Sequence, residues 1–246
     1  MQTMVNNSAR IGNFTSSKIG ALMSSGKQAN GFGVQAITYI KERNFERKLG
    51  RAISAESNAR PLSWGKLLEK RVFDLLGLEY ILCSHETIIH PTIEYWSGSP
   101  DARKEPGTVC DVKCPETLKS FCILSECKTI EEVRQNHDKG EEYYWQLVSN
   151  AVLTNSNKAE LIVYMPYLSE LQEIRELCFS VPPDEAYKYY WIANGNDEEL
   201  PYLPDGCFYK NMHVISFDVP EADKELLKER VLLGGTMLEP HFSKTV

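Results

Sequence analysis

The sequence predicts an α/β or α+β domain with a mixed central β-sheet flanked by helices. Three observations lead there: amphipathic helical stretches before residue 77, β-branched alternating segments between residues 80 and 114, and a helix followed by an apolar strand between residues 140 and 167. The 246 residues suffice for a sizeable core. We read one domain over residues 1–246, with its motif-bearing core at about 10–167 and a C-terminal helix and strand extension at about 170–246.

Taken in order, "FTSSKIGALMSSGK" opens with capping Thr and Ser residues, carries Ile19, Leu22 and Met23 at helical spacing and stops at Gly26. A short helix from about Ser17 is expected. "GFGVQAITYIKERNFERKLGR" predicts a second helix with Ala36, Tyr39, Ile40 and Leu49 inward and its basic residues outward. In "PLSWGKLLEKRVFDLLG" the stripe is Leu67, Leu68, Val72, Leu75 and Leu76, with Glu69 beside it. "YILCSHETIIHP" and "EYWSGSPDAR" predict two strands of a hairpin or meander, and "GTVCDVKCP" the next. The helix "GEEYYWQLVSNAVLTN" and the strand "AELIVYMPY" follow. Beyond Ser169 we expect an amphipathic helix to Leu177, the turn-rich "ANGNDEELPYLPDG", the strand "HVISFDV" and a final helix "EADKELLKERVLLGG", none carrying recognisable chemistry.

Composition narrows the class. No apolar run is long enough to span a bilayer, and the first 20 residues lack a basic region followed by an apolar one, so a cytoplasmic protein without a membrane is expected. Seven cysteines, an odd number without framework spacing, fit reduced thiols. The formal charge is −7, but residues 1–75 hold 12 Lys and Arg against 5 Asp and Glu. A basic third on an acidic chain suits a localised phosphate track, or solvated helix faces.

The stretch "GSPDARKEPGTVCDVKCP" places Asp101, Asp111 and Lys113 within 13 residues, two of them inside a strand-like run. Burying lone charges there is costly unless something neutralises them. On a strand, Asp111 and Lys113 share one face while Cys110, Val112 and Cys114 share the other. Two carboxylates offer hard oxygens suited to Mg²⁺, Glu69 adds a third from a helix, and Lys113 is placed to orient or deprotonate water and to offset developing phosphoryl charge. This pattern reads as metal-assisted phosphodiester hydrolysis. Glu126-Cys127-Lys128 repeats the triplet without an upstream Ser-Pro-Asp turn, and reads as a chance match. Cys110, Cys114, Cys122 and Cys127 form no C-x₂-C pair, and His85, His90, His137, His213 and His241 show no ligand spacing.

"WGKLLE", "GSPDA", "CDVKCP" and "YYWQLVSNAVLT", in this order and with these gaps, resemble the lambda exonuclease/YqaJ viral recombinase family of PD-(D/E)-x-K nucleases. The resemblance spans roughly residues 10–167 and implies a restriction-endonuclease-like core. It places Glu69, Asp101 and Asp111 on the family's acidic positions, Lys113 on its lysine, Gln146 on the glutamine of the following helix and Tyr143 on an aromatic hydroxyl one turn earlier. Asp111 stands where many relatives have Glu. The same resemblance gives the Val112 carbonyl a place among the metal ligands, and it places Arg10, Ser17 and Ser99 in a pocket for the 5′-phosphate of a DNA end. Lys27 falls in a loop that contacts DNA, and Leu62 at an apolar wedge.

What the resemblance implies is a Mg²⁺-dependent exonuclease, with Mn²⁺ as the alternative ion, of phage or prophage type acting in a bacterial host. It would digest the 5′-ended strand of double-stranded DNA, leave a 3′ overhang, form a homotrimeric ring and work with a single-strand annealing protein. The alternatives are a structure-selective or defence-related endonuclease of the same fold and a non-catalytic module that binds DNA ends.

Overall fold

The computed structural model describes residues 9–27, 31–53, 59–83 and 87–242. Five strands form its main sheet: β2 (Tyr80–Leu82), β5 (Ala102–Lys104), β6 (Thr108–Lys113), β7 (Lys158–Tyr164) and β8 (Met212–Asp218), in the order β2-β5-β6-β7-β8. Only β6 and β7 pair in parallel, with Asp111 opposite Leu161 and Lys113 opposite Val163. A parallel step needs a crossover, supplied here by α3 (Leu118–Glu126), α4 (Ile130–Asn136) and α5 (Gly140–Thr154). In a smaller sheet, β4 (Trp96–Gly98) lies between β1 (Phe14–Thr15), parallel to it, and β3 (Ile88–Ile89), antiparallel.

Strand alternation fills the main sheet on both faces. Val109, Leu161, Val163 and Ile215 join Leu147, Val148 and Ala151 of α5 in one core. Cys110, Val112, Ile162 and Tyr164 join a second core with Trp64, Leu67, Leu68 and Val72 of α2 (Arg60–Leu75) and with Leu171 and Ile174 of α6 (Leu171–Leu177). The catalytic candidates of β6 therefore sit on a strand held from above and below. The C-terminal extension is woven into this layering, with β8 at the edge of the sheet and α8 (Glu221–Gly235) burying Leu227 and Val231 in the α5-side core.

Several expectations change. The first helix is a 3-10 helix, Ser16–Met23, and the Thr15 side chain does not cap it. Instead the Thr15 N–H donates to Tyr39 Oη at 2.9 Å, and Ser16 Oγ meets Ser149 Oγ at 2.8 Å, so these residues tie the segment to α1 (Val34–Leu49) and α5. On α1, Ala36, Tyr39 and Ile40 are buried, but Leu49 is 60% exposed, because the last turn runs past the core. Leu75 likewise ends α2 at the surface.

Nor do the basic residues of α1 all face outward, since Arg43 and Arg47 are buried together with Glu46. They supply what a turn of the chain demands. Glu46 Oε2 accepts the Gly12 N–H at 2.9 Å, Arg47 Nε donates to the Gly12 carbonyl at 2.7 Å, and Arg43 pairs with Glu46 at 2.7 Å.

The two strands of the expected hairpin each break in two. Their outer parts, β2 and β5, join the main sheet; their inner parts, β3 and β4, join the small one. The break follows Gly98, where a Cβ would stand 2.1 Å from Ser16 Oγ and 2.6 Å from Asn150 Oδ1, and Pro100 cannot donate to a ladder. Among the described residues, no helix is long and apolar enough to cross a membrane.

Candidate active site

Asp101 lies just before β5 and is bound to β6 through the backbone. Its Oδ2 accepts the Val112 N–H at 2.7 Å, and its own N–H donates to the Cys110 carbonyl at 3.2 Å. On β6, Asp111 is only 1% exposed, and its Oδ2 lies 2.5 Å from Lys113 Nζ. Gln146 of α5 closes the group, with Nε2 donating to Asp111 Oδ1 at 2.7 Å and Oε1 accepting from Lys113 Nζ at 3.1 Å. One turn earlier on α5, the Tyr143 ring lies with its centroid 5.0 Å from the same ammonium.

Glu69 enters from α2. Burial, then the Asp111 charge, push its carboxyl up to about 7, against the pull of Lys113 and Lys66. Burial, Asp111 and Glu69 also hold Asp101 well above the ordinary carboxylate range, although Lys113 and the Val112 N–H oppose them. Burial draws the Lys113 ammonium down, but Asp111 and Asp101 outweigh it and raise it. Three carboxylates and one lysine thus form one electrostatic unit.

A divalent cation fits the donor chemistry of this unit. Asp111 Oδ2 is buried with the Lys113 ammonium as its ion-pair partner, and the two other carboxylates are raised first by burial and then by neighbouring carboxylate charge, both of which a cation would relieve. Among the described residues, no group of three His, Cys, Asp or Glu side chains is placed to hold a metal ion by itself. Mg²⁺ is commonly held by one or two carboxylates, with waters and phosphate completing its shell.

The remaining candidates are placed differently. Parallel pairing of β1 and β4 sets Thr15 opposite Ser97, so Ser17 and Ser99, each two residues on, leave the same end of the small sheet. Ser99 Oγ meets Thr87 Oγ1 at 3.2 Å. Ser17 lines a cavity of about 600 Å³ in which Lys18 faces Glu42, Asp138, Glu141 and Glu142, an acidic surplus. Arg10 sits in the turn before β1, its carbonyl accepting the Asn13 N–H at 3.2 Å. Hydrogen bonds of the described residues do not join Arg10, Ser17 and Ser99 to one another. Lys27 is exposed in a bend, and Leu62 is 50% exposed in the first turn of α2.

The Glu126-Cys127-Lys128 triplet is the α3–α4 junction: Glu126 accepts from Tyr209 Oη, the Cys127 carbonyl faces His213 Nε2, and Lys128 N–H donates to Glu132. The seven cysteines form no disulfide, and burial pushes the Cys110 and Cys114 thiols up, which suits small apolar residues rather than thiolate ligands. His85 lies outside the described residues. His137, which has no ligand spacing in sequence, stacks on Tyr143 beside the site; only the crossover of α3, α4 and α5 reveals it.

No family model and no curated protein matches the chain. Solved structures do. An alkaline exonuclease from Laribacter hongkongensis aligns at TM-score 0.57 and 18% identity over 93% of this chain and 88% of its own. The same enzyme in complex with dAMP aligns at 0.57 and 18%, over 94% and 90%. A phage-related exonuclease from Haemophilus somnus 129PT aligns at TM-score 0.66 and 14% identity over 92% of each chain. This is a restriction-endonuclease-like fold. Its mixed central sheet flanked by helices is shared with these exonucleases across nearly the whole chain, including the C-terminal extension.

Proposed function

We propose that this chain is a Mg²⁺-dependent deoxyribonuclease that digests the 5′-ended strand of linear double-stranded DNA and leaves a 3′ single-stranded overhang. The observation that carries the reading is the closed Asp111–Lys113–Gln146 group beside Asp101, on a fold shared with solved exonucleases. A binding module has no use for a buried carboxylate paired to a buried lysine, because ion pairs of this kind return little stability.

In this reading Glu69, Asp101, Asp111 and the Val112 carbonyl hold the ion, Mg²⁺ or Mn²⁺. When bound, it polarises the scissile phosphate and lowers the proton affinity of water. The protein's own part is positional. Lys113 Nζ and the Gln146 amide orient the attacking water and face the charge developing on the phosphoryl oxygens, and Tyr143 supports the lysine. Arg10, Ser17 and Ser99 take the terminal 5′-phosphate; Lys27 and Leu62 contact the duplex near its end. The assembly we propose is a homotrimeric ring on DNA, paired with a single-strand annealing protein, in the cytoplasm of a bacterial host carrying the phage or prophage gene.

Digestion of linear and circular duplexes, labelled at either end, in Mg²⁺ and in Ca²⁺, tests this. Loss of the 5′ label from linear duplex in Mg²⁺ alone is expected. Cutting of closed circles makes the protein an endonuclease, and end binding in Ca²⁺ without cutting in Mg²⁺ makes it a binding module.

A further inference from the structure

We propose that His137 is a positioning residue for Lys113, acting through the ring of Tyr143. The inference rests on the nuclease reading above and adds a residue to its machinery.

His137 closes α4 as its C-terminal cap. Both of its ring nitrogens are engaged. The Lys139 backbone N–H donates to Nδ1 at 3.2 Å, and a backbone amide can only donate, so Nδ1 is the acceptor nitrogen. In the neutral ring the proton therefore sits on Nε2, which donates to Ser120 Oγ of α3 at 2.7 Å. Two bonds from two segments fix both the plane and the tautomer of the imidazole.

Against that fixed plane lies Tyr143. The centroids are 5.4 Å apart and the planes 25° from parallel, a stacked arrangement. Lys113 Nζ in turn lies 5.0 Å from the Tyr143 ring centroid. A lysine ammonium is a compact charge on a flexible four-carbon stem, so its position depends on what surrounds it. Asp111 and Gln146 hold it on one side, and the aromatic ring, itself held by His137, bounds another. Without His137, Tyr143 can turn about its side-chain bonds, and Lys113 keeps its charge partners but loses a wall.

The expected consequence is a loss in turnover rather than in DNA binding, since the role proposed for His137 is exerted through Tyr143 on Lys113. His137→Ala is expected to lower kcat roughly tenfold, with Kd for linear duplex in Ca²⁺ unchanged within about twofold. His137→Phe keeps a flat ring to stack on Tyr143 without the hydrogen bonds that fix its plane, and is expected to recover part of the lost rate. Should His137→Ala not fold, His137→Leu, which fills similar space without a ring, takes its place and must show the same loss. A normal kcat in the Ala or Leu protein overturns the proposal, and so does a folded His137→Phe protein as slow as they are. Wild type and Lys113→Ala run alongside. If wild type cuts no DNA, or Lys113→Ala cuts as fast, it is the nuclease reading that fails; with an active wild type and a dead Lys113→Ala, the His137 variants alone decide whether His137 positions the lysine.

Discussion

Lys113 Nζ stands 2.5 Å from Asp111 Oδ2, two residues back on the same strand, and both side chains are largely withdrawn from water. The pair exists because β6 is buried on both faces yet ends at a polar cluster. We expect Asp111→Asn and Lys113→Ala each to reduce DNA cleavage by at least about a hundredfold, the scale of a lost electrostatic element, while circular dichroism stays native. Lys128→Ala, at the α3–α4 junction, should cut at the wild-type rate.

Gln146 is the only side chain that hydrogen-bonds both members of the pair among the described residues. Gln146→Leu removes both bonds and leaves Asp111 Oδ1 without its donor. Chemical denaturation should register a loss of about 1–3 kcal/mol, and single-turnover cleavage should slow by roughly tenfold or more. Unchanged values for both would separate Gln146 from the site.

Metal-free stability should carry the mark of Glu69. Its carboxyl is raised from 4.5 to about 7, chiefly by burial and then by Asp111. The folded state therefore holds the proton more tightly than the unfolded state does. The associated stability is fully present below about pH 4.5 and is lost as the pH rises through about 7. In EDTA, Glu69→Gln should exceed wild type in unfolding free energy by about 1–3 kcal/mol at pH 8, with the gap closing toward pH 4.5. Added Mg²⁺ should raise the melting temperature of wild type and leave that of Asp111→Asn nearly unmoved.

Gly98 marks where β4 passes between the 3-10 helix and α5. A methyl group there would lie 2.1 Å from Ser16 Oγ, 2.6 Å from Asn150 Oδ1 and 2.7 Å from Leu153 Cδ1. Gly98→Ala should cost about 1–3 kcal/mol in denaturant unfolding, the range for overpacking. Because Ser99 and Asp101 follow directly, activity should fall as well.

End recognition is tested at Arg10. Duplexes with 5′-phosphate ends should be digested faster than those with 5′-hydroxyl ends, since a bound terminal phosphate draws the next linkage into register. Arg10→Ala should abolish the difference by slowing only the phosphorylated substrate. Equal slowing of both would remove Arg10 from the pocket.

Much of the molecule was determined by local pattern. The period-2 alternation through Val109 to Lys113 placed Asp111 with Lys113 and Cys110 with Val112, and the two cores divide along that line. Helical spacing in α5 set Tyr143 one turn before Gln146, and the apolar runs of α2, β7, β8 and α8 declared their elements unaided. Other features depended on partners distant in sequence. Arg43 and Arg47 read as part of a basic outer face, yet with Glu46 they turn inward because the Gly12 turn, over 30 residues earlier, presents backbone groups that must be paired. The expected hairpin divides between two sheets just past Gly98, where Ser16 and Asn150 leave no room for a side chain. His137 reaches Tyr143 only because the crossover folds α4 back on α5. Periodicity along a chain reports which residues share a face; which distant groups that face will meet is decided by tertiary packing, where leaving a buried polar group unpaired is costly.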